Sequence, residues 1–487
     1  MKKESDDQRR AWEDIKKAHT FAELMKALPI QLLERCAEII LSFWILSPLF
    51  ILIRSAVLSG DDLFHRQIIL SSTWYVFLEQ AGFLALLVDA AFIGKERCAS
   101  RPTHRFRAIW EGKEVLFWLL LLWCWSIISF LASDNPAQSF WGDSYRQDGL
   151  FSYSLYLGLY LLAFYVRAPG LMSHLTALFS LSAFPLALLT VLNNPALNTF
   201  FHIEQASSVF YNANHYAYYL CLSQMAALCM LLTQKPGTLS FWGYFSLFCV
   251  VGAALIQNGS LGPYLAVLSA MVLMLFWMRC WRLNGQKTVL LAVIAFLIVS
   301  FAISSNNHRL ESDLVVLFHD AGLIVKGSEK ASKAGSGRWI LWQTAVRLIF
   351  QKPLTGFGPD NLGPAFKAYG LQTDRPHNEL LQIAASLGLP ALFFYLAAVF
   401  CYIAALYKKR RSLTPFHSGL AGMVAAYLIS SLFGNTMFYT SPFFFLVLGL
   451  SSGALENLQE GFQKSFNGET EKTKWNWFPF KMKIWPF

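Results

Sequence analysis

The chain has 487 residues, of which 55% are hydrophobic and only 14% are charged. A soluble domain carries about 25% charged residues, so this composition excludes a soluble globular protein and indicates long segments that lie in lipid. The net charge of +10 is mainly a topology signal, and no recognisable nucleic-acid-binding module accompanies it.

The N-terminal residues 1–30 are too rich in charge for a cleavable signal peptide. Apolar residues from Trp12 to Met25 recur at helical spacing, with Arg and Lys between them. This pattern is typical of a helix that lies on the inner leaflet. Residues 1–30 are therefore predicted to form a cytoplasmic amphipathic segment.

Twelve apolar segments follow, each close to the length of about 20 residues that crosses a bilayer. They lie near residues 36–57, 67–93, 115–132, 150–166, 171–192, 215–232, 241–256, 261–278, 288–304, 390–407, 418–438 and 441–455. The sequence predicts an all-α, polytopic membrane protein with about twelve transmembrane helices, nine within 31–303 and three within 390–456. The link 257–260 is so short that its two flanking segments form either two full spans or a re-entrant pair.

The short loops between these spans differ sharply in charge. Fifteen Lys and Arg residues lie in alternate loops, at residues 94–114, 167–170, 233–240, 279–287 and 408–417. The opposite short loops hold only Arg66 and Arg146. Because cytoplasmic loops carry the excess of Lys and Arg, both termini are predicted to be cytoplasmic and the long loop 304–389 extracytoplasmic.

The long loop 304–389 contains a first short helix. Gly335-Ser-Gly337 is a turn signal, and Pro353 stops a helical pattern, so a helix is predicted over 338–351. Arg338 falls on the apolar face of this helix.

The position of Arg338 is informative because Arg347 falls on the opposite face of the same helix. A guanidinium on a buried face is costly unless it meets an anion, and its fork matches phosphate oxygens. A structural arginine that bonds carbonyls or a carboxylate is the alternative interpretation.

The second informative stretch is residues 374–379. Pro376 suits the first turn of a helix and Asp374 a cap, so an amphipathic helix is predicted from Pro376. His377 then lies on its apolar face, whereas Glu379 points away. In the first turn the helix dipole disfavours the imidazolium, so His377 is predicted to be neutral, as a general base requires. A His that merely packs in a core is the alternative.

The eight cysteines all lie in predicted spans or near their cytoplasmic ends, which predicts neither a disulfide framework nor a metal site. The chain has no phosphate-binding Walker loop and no dinucleotide fingerprint, so no cofactor is predicted. Residues 457–487 mix Lys with Trp and Phe and are predicted to form a cytoplasmic basic and aromatic tail.

Several stretches together resemble the O-antigen ligase and O-antigen polymerase superfamily, over roughly residues 140 to 455. These stretches are Gly337-Arg338-x3-Trp342, Lys352-Pro-Leu-x-Gly-Phe-Gly358, Pro376-His377-Asn378-Glu-Leu-x7-Gly388-Leu-Pro, Trp141-Gly-x3-Arg146-x2-Gly149-Leu150 and Tyr211-Asn-Ala-Asn214-His-Tyr-Ala217. One departure stands out. Many members place an Arg at the outer end of a middle span, where this chain has Asn258-Gly-Ser-Leu-Gly262.

The resemblance implies a metal-independent glycosyltransferase of bacterial cell-surface polysaccharide assembly. Such an enzyme moves an oligo- or polysaccharide from undecaprenyl diphosphate to an acceptor hydroxyl on the outer face of the cytoplasmic membrane. The acceptor is a glycan, a lipid or a protein, and surface-polysaccharide assembly proteins are implied as partners. The implied site residues are the catalytic His377 and Arg338, the diphosphate-binding Arg338, Arg375 and Arg146, and the supporting Asn378 and Asn214.

Two other classes of function stay open. A transporter or lipid-linked glycan flippase would show internal repeats and ionisable residues within spans, of which Glu79 and Asp89 are the few acidic examples. A non-catalytic scaffold in a wall-assembly complex is the third class.

Overall fold

The protein is all-helical wherever its structure is described, which confirms the predicted fold class. The computed structural model describes residues 13, 15–20, 23–24, 27–57, 63–99, 112–144, 146–210, 212–307, 309–326, 334–335, 337–434 and 437–466. These residues contain no β-strand, and their single β-bridge joins Glu204 to Ser208.

The described helices are numbered here in chain order. They are α1 (Ile30–Val57), α2 (Leu63–Ala99), α3 (Glu114–Leu131), α4 (Pro136–Trp141), α5 (Leu150–Tyr165), α6 (Pro169–Ser182), α7 (Phe184–Leu192), α8 (Pro195–Phe201), α9 (Ala213–Thr233), α10 (Leu239–Asn258), α11 (Leu261–Cys280), α12 (Gln286–Asn307), α13 (Arg309–Val325), α14 (Arg338–Gln351), α15 (Gly363–Lys367), α16 (Glu379–Leu387), α17 (Leu389–Lys408), α18 (Pro415–Ser431) and α19 (Ser441–Phe466).

Ten stretches of the described chain are helical, long and apolar enough to cross a membrane, with α6 and α7 together forming one of them. The other two predicted spans are the shorter helices α5, of 16 residues, and α18, of 17 residues. Helices α10 and α11 are each 20 residues long and belong to the ten, so the structure favours two full-length helices over a re-entrant pair.

Helix α9 is the most enclosed of the ten spanning helices, because 18 of its 21 residues are buried. It packs against α6, α10 and α18, while α5 packs against α2 and α19. In a membrane, a helix that is apolar on all sides can face lipid or protein, and α9 faces protein on nearly every side. The first turn of α9, which contains Asn214 and His215, is consequently held on a rigid element.

Three predicted segments fall wholly or largely outside the described residues. They are the N-terminal amphipathic segment, most of the loop at 94–114 and the basic and aromatic tail beyond Phe466.

The predicted helix over 338–351 is confirmed, because α14 has those bounds. The predicted start of the second helix is wrong. Helix α16 begins at Glu379, and Asn378 caps it by accepting a hydrogen bond from the backbone N–H of Leu381 at 3.0 Å. Pro376 and His377 therefore precede the helix.

Close backbone contacts hold the loop after α14 against the end of α16. The backbone N–H groups of Phe357 and Gly358 donate to the carbonyls of Ala385 and Ser386, at 3.1 and 2.8 Å. Gly388 has a φ of +90°, and a Cβ there would lie 1.9 Å from the carbonyl oxygen of Leu354. The glycines of these two sequence stretches thus permit the packing that brings both stretches together.

Candidate functional site

Arg338 is the first residue of α14 and follows Gly337, whose φ of +82° turns the chain into the helix. The Arg338 side chain is half-buried, whereas Arg347 is exposed, so the predicted difference between the two helix faces is confirmed. Burial lowers the pKa of Arg338 somewhat, but a guanidinium stays charged at neutral pH. Its guanidinium forms no hydrogen bond or ion pair with any residue that the structure describes.

His377 occupies the position before the cap of α16, with a φ of +55°, and is half-buried. Burial, followed by the charges of Arg338 and Arg146, lowers the pKa of His377 to about 4. The imidazole is consequently neutral at physiological pH. The predicted reason was wrong: His377 is not in the first helical turn, and its surroundings replace the helix dipole as the cause.

The amide of Asn378 connects this corner to the neighbouring loop as well as capping α16. Its Nδ2 donates to the carbonyl of Leu432 at 3.0 Å, while its Oδ1 caps the helix. Glu379, predicted to point away from the apolar face, is instead buried and accepts a hydrogen bond from Tyr395 at 3.2 Å. Asn378 therefore fixes the backbone directly after His377.

Arg146 and Asp374 form an ion pair beside His377. Arg146 donates from Nε and Nη2 to the two carboxylate oxygens of Asp374, at 2.6 and 3.0 Å. Burial raises the pKa of Asp374, but the hydrogen bonds and charge of Arg146 outweigh it and the pKa is lowered. Asp374 thus binds an arginine of a different loop. The sequence had predicted that Asp374 caps a helix.

Arg375 has a different environment from the other two arginines, because its side chain is completely buried. It donates to Asp148 at 3.0 Å and to Asp360 at 2.7 Å. Asp360 also accepts from the backbone N–H of Asp143 at 2.8 Å. The predicted diphosphate ligand Arg375 is therefore the centre of an ion network that joins two loops, and it has no surface to offer a substrate.

His215 is a residue of this region that the sequence analysis did not single out. It lies one residue after Asn214, is 3% exposed and stacks on the ring of Tyr439 at 5.3 Å between centroids. It lies within electrostatic range of Arg146 and His377, and its Nδ1 has no hydrogen-bond partner among the described residues. The sequence signal that could have identified it is its place in the Asn-rich stretch 211–217, at the start of α9.

Asn258 begins the stretch 258–262, where the resemblance led us to expect an arginine. Its Nδ2 donates to the carbonyls of Ala206 and Ala213, and the side chain is 2% exposed. Asn258 therefore joins the end of α10 to the start of α9 and is not available to bind an anion.

The described residues thus bring Arg338, His377, Arg146 and Asp374 together at one end of the bundle, with Asn214 and His215 near them. No group of three His, Cys, Asp or Glu side chains in the described part of the chain is placed to hold a metal. The arrangement combines a half-buried cation with a neutral imidazole, which suits binding an anion beside a group that loses a proton.

Comparison with known proteins agrees with this class of membrane protein. The O-Antigen ligase family model matches residues 245–396, a range that includes Arg338 and His377. Residues 245–396 thus match the O-Antigen ligase family model, which confirms the resemblance found in the sequence over that range. The stretches at 141–150 and 211–217 lie outside the match. No curated protein sequence gives a significant match to the chain.

Proposed function

We propose that the protein transfers a glycan from undecaprenyl diphosphate to an acceptor hydroxyl at the outer face of the bacterial cytoplasmic membrane, without a metal or cofactor. The superfamily match supports glycan transfer. The observation that carries the proposal is the proximity of Arg338 to His377, which is close enough for the guanidinium to lower the imidazole pKa. A cation and a neutral base thus lie within electrostatic range of each other.

In the proposed reaction, His377 takes the proton of the acceptor hydroxyl while the oxygen of that hydroxyl attacks the anomeric carbon of the donor glycan. The bond between that carbon and the diphosphate breaks, and its electron pair leaves with the diphosphate. Arg338 stabilises the developing negative charge through its bidentate fork. The proton then passes from His377 to water, and undecaprenyl diphosphate remains in the membrane.

The other predicted residues take supporting roles in this proposal. Arg146 adds a second positive charge, which Asp374 partly balances. Asn378 positions His377 through the cap of α16, and Asn214 lines the same end of the bundle. Arg375 is proposed to hold the loops and not the diphosphate, because it is buried between two carboxylates.

The test of the Arg338 assignment compares arginines on opposite faces of α14. Arg338→Ala and Arg338→Lys are both expected to reduce transfer severely, because lysine lacks the fork. The exposed Arg347→Ala serves as the matched control and is expected to keep most activity. Transfer is measured with purified protein, a lipid-diphosphate-linked glycan and an acceptor, without nucleotide. Equal loss at both positions would refute the assignment.

One observation bears on the alternative of lipid-linked glycan transport. Asp89, within α2, is 2% exposed, and neither carboxylate oxygen has a hydrogen-bond partner among the described residues. Buried acidic residues inside spans often mark transport pathways. The transfer assay with purified protein separates the two functions, because transport needs two compartments and glycan transfer does not.

A further inference from the structure

A cavity of about 260 Å³, lined by both charged and apolar side chains, lies between α3, α17 and α19, away from the candidate site. It is at the opposite membrane face, because Glu114 at its rim begins α3, whose far end carries Ser129. The hydroxyl of Ser129 donates to the carbonyl of Thr355 at 2.6 Å, in the loop that packs against α16. Glycan transfer as proposed above makes no use of this cavity.

Four charged side chains of the described residues line the cavity, and they form two layers. The inner pair is Lys409 and Glu456, whose charged atoms are 3.9 Å apart and whose side chains are largely buried. Lys409 also donates to the carbonyl of Leu455 at 2.7 Å. The outer pair, Glu114 and Lys408, is exposed at the rim. Because Lys409 and Glu456 pair with each other, a ligand that enters the cavity meets, among the described residues, the Glu114 carboxylate and the Lys408 ammonium at the rim.

An exposed apolar surface adjoins the cavity on α17. Ile403, Phe400 and Leu396 follow one another at helical spacing, and their exposed fractions are 55%, 70% and 44%. This stripe runs from the cavity towards the middle of the bilayer. The combination of a charged cavity at the membrane surface with an apolar stripe beneath it matches an amphiphile that has a polar head and long chains.

We propose that the cavity binds the headgroup of a phospholipid that carries both a phosphate and a primary ammonium, as phosphatidylethanolamine does. Lys408 pairs with the phosphate, Glu114 accepts from the ammonium, and the acyl chains lie along Ile403, Phe400 and Leu396. Among the described residues, the rim presents one charge of each sign, which favours a zwitterion over an anion. A primary ammonium donates three hydrogen bonds, whereas the trimethylated headgroup of phosphatidylcholine donates none.

The experiment measures the binding of single lipids to the full-length purified protein by native mass spectrometry. Phosphatidylethanolamine, phosphatidylcholine and phosphatidylglycerol with identical acyl chains are compared. Phosphatidylethanolamine is expected to bind most tightly. Glu114→Gln and Lys408→Gln are each expected to weaken its binding by about two- to fivefold, the usual effect of losing an exposed charge pair.

The control variant is Arg411→Gln, which removes an exposed cation close to α17 but outside the cavity. It is expected to bind phosphatidylethanolamine as the unmodified protein does. Glu114 and Lys408 are exposed, so folding of their variants is expected and is checked by thermal unfolding. The proposal fails if phosphatidylglycerol or phosphatidylcholine binds as tightly as phosphatidylethanolamine. It also fails if both rim variants keep full affinity. Neither result would affect the proposed glycan transfer, which is assayed separately.

Discussion

The side chains of Arg338 and His377 depend on each other electrostatically. Burial of an imidazole already disfavours its charged form, and the nearby positive charge of Arg338 adds to the effect. An anionic diphosphate bound by the same guanidinium would reduce that positive field. Donor binding would then make His377 a stronger base when it is needed.

Replacement of His377 by alanine is expected to lower transfer by about 10²–10⁴-fold, the usual contribution of general-base assistance. Donor binding is expected to persist, because Arg338 and Arg146 remain. The rate is measured in the purified transfer assay and donor binding by titration. Normal turnover by a folded His377→Ala protein would remove His377 from the mechanism.

The pH dependence gives a second readout of the same residue. A base with its pKa lowered to about 4 stays neutral through mildly acidic conditions. Transfer by the unmodified protein is therefore expected to decline near pH 4 in the free enzyme, well below the value of about 6.5 for an ordinary histidine. The measurement is the pH profile of kcat/KM at low donor concentration. An acid limb close to pH 6.5 would contradict the environment described here.

At the scale of single elements, local sequence signals predicted α14 well and α16 poorly. The bounds of α14 follow from a turn signal and from Pro353, both of which act within the chain. The start of α16 depends on tertiary contacts, because Asp374 is bound to Arg146, distant in sequence, and leaves the cap to Asn378. Such a pairing cannot be predicted from local pattern.

The same limit applies to the candidate site. The sequence identified Arg338 and His377 because each is a polar residue on an otherwise apolar pattern. It could not distinguish Arg375 from Arg146, since both are arginines in polar loops. Only the structure shows that Arg375 is buried between Asp148 and Asp360.

The contact between the two loop stretches can be tested at their glycines. Gly388→Ala is expected to prevent folding, because the new Cβ would lie 1.9 Å from the carbonyl oxygen of Leu354. Gly370→Ala is the control, because its φ of +74° is also positive but nothing lies within 4 Å. It should cost only about 1–2 kcal/mol of backbone strain. Folded yield and thermal unfolding in detergent are compared, and similar behaviour of the two variants would refute this packing.

For the whole molecule, the Arg375 network joins the loop before α5 to the loop after α14. Removing one member of a buried ion pair typically costs about 3–5 kcal/mol, since the remaining charges are left without partners. Arg375→Ala is therefore expected to lose folded yield, unlike Arg338→Ala. Size-exclusion profiles of fluorescently tagged variants make the comparison. A well-folded but inactive Arg375→Ala protein would restore Arg375 as a substrate ligand.

The last prediction concerns the side of the membrane on which the candidate site lies. Contacts hold three loops at one end of the bundle. Gln138 donates to the carbonyl of Asp360, which joins 133–149 to 304–389. His215, directly after 193–214, lies within electrostatic range of Arg146 and His377. Reporter fusions within 133–149, 193–214 and 304–389 must therefore give the same signal as one another.

The Lys and Arg bias predicts that this common signal is extracytoplasmic and that a reporter within 94–114 is cytoplasmic. Contacts between the loops do not show on which side of the membrane the loops lie. The comparison with the reporter within 94–114 therefore tests only the prediction from the Lys and Arg bias. If the three loops agree but lie in the cytoplasm, the fold stands and the donor must reach the site from the inner face. If the three loops disagree, the arrangement of the helices is itself wrong.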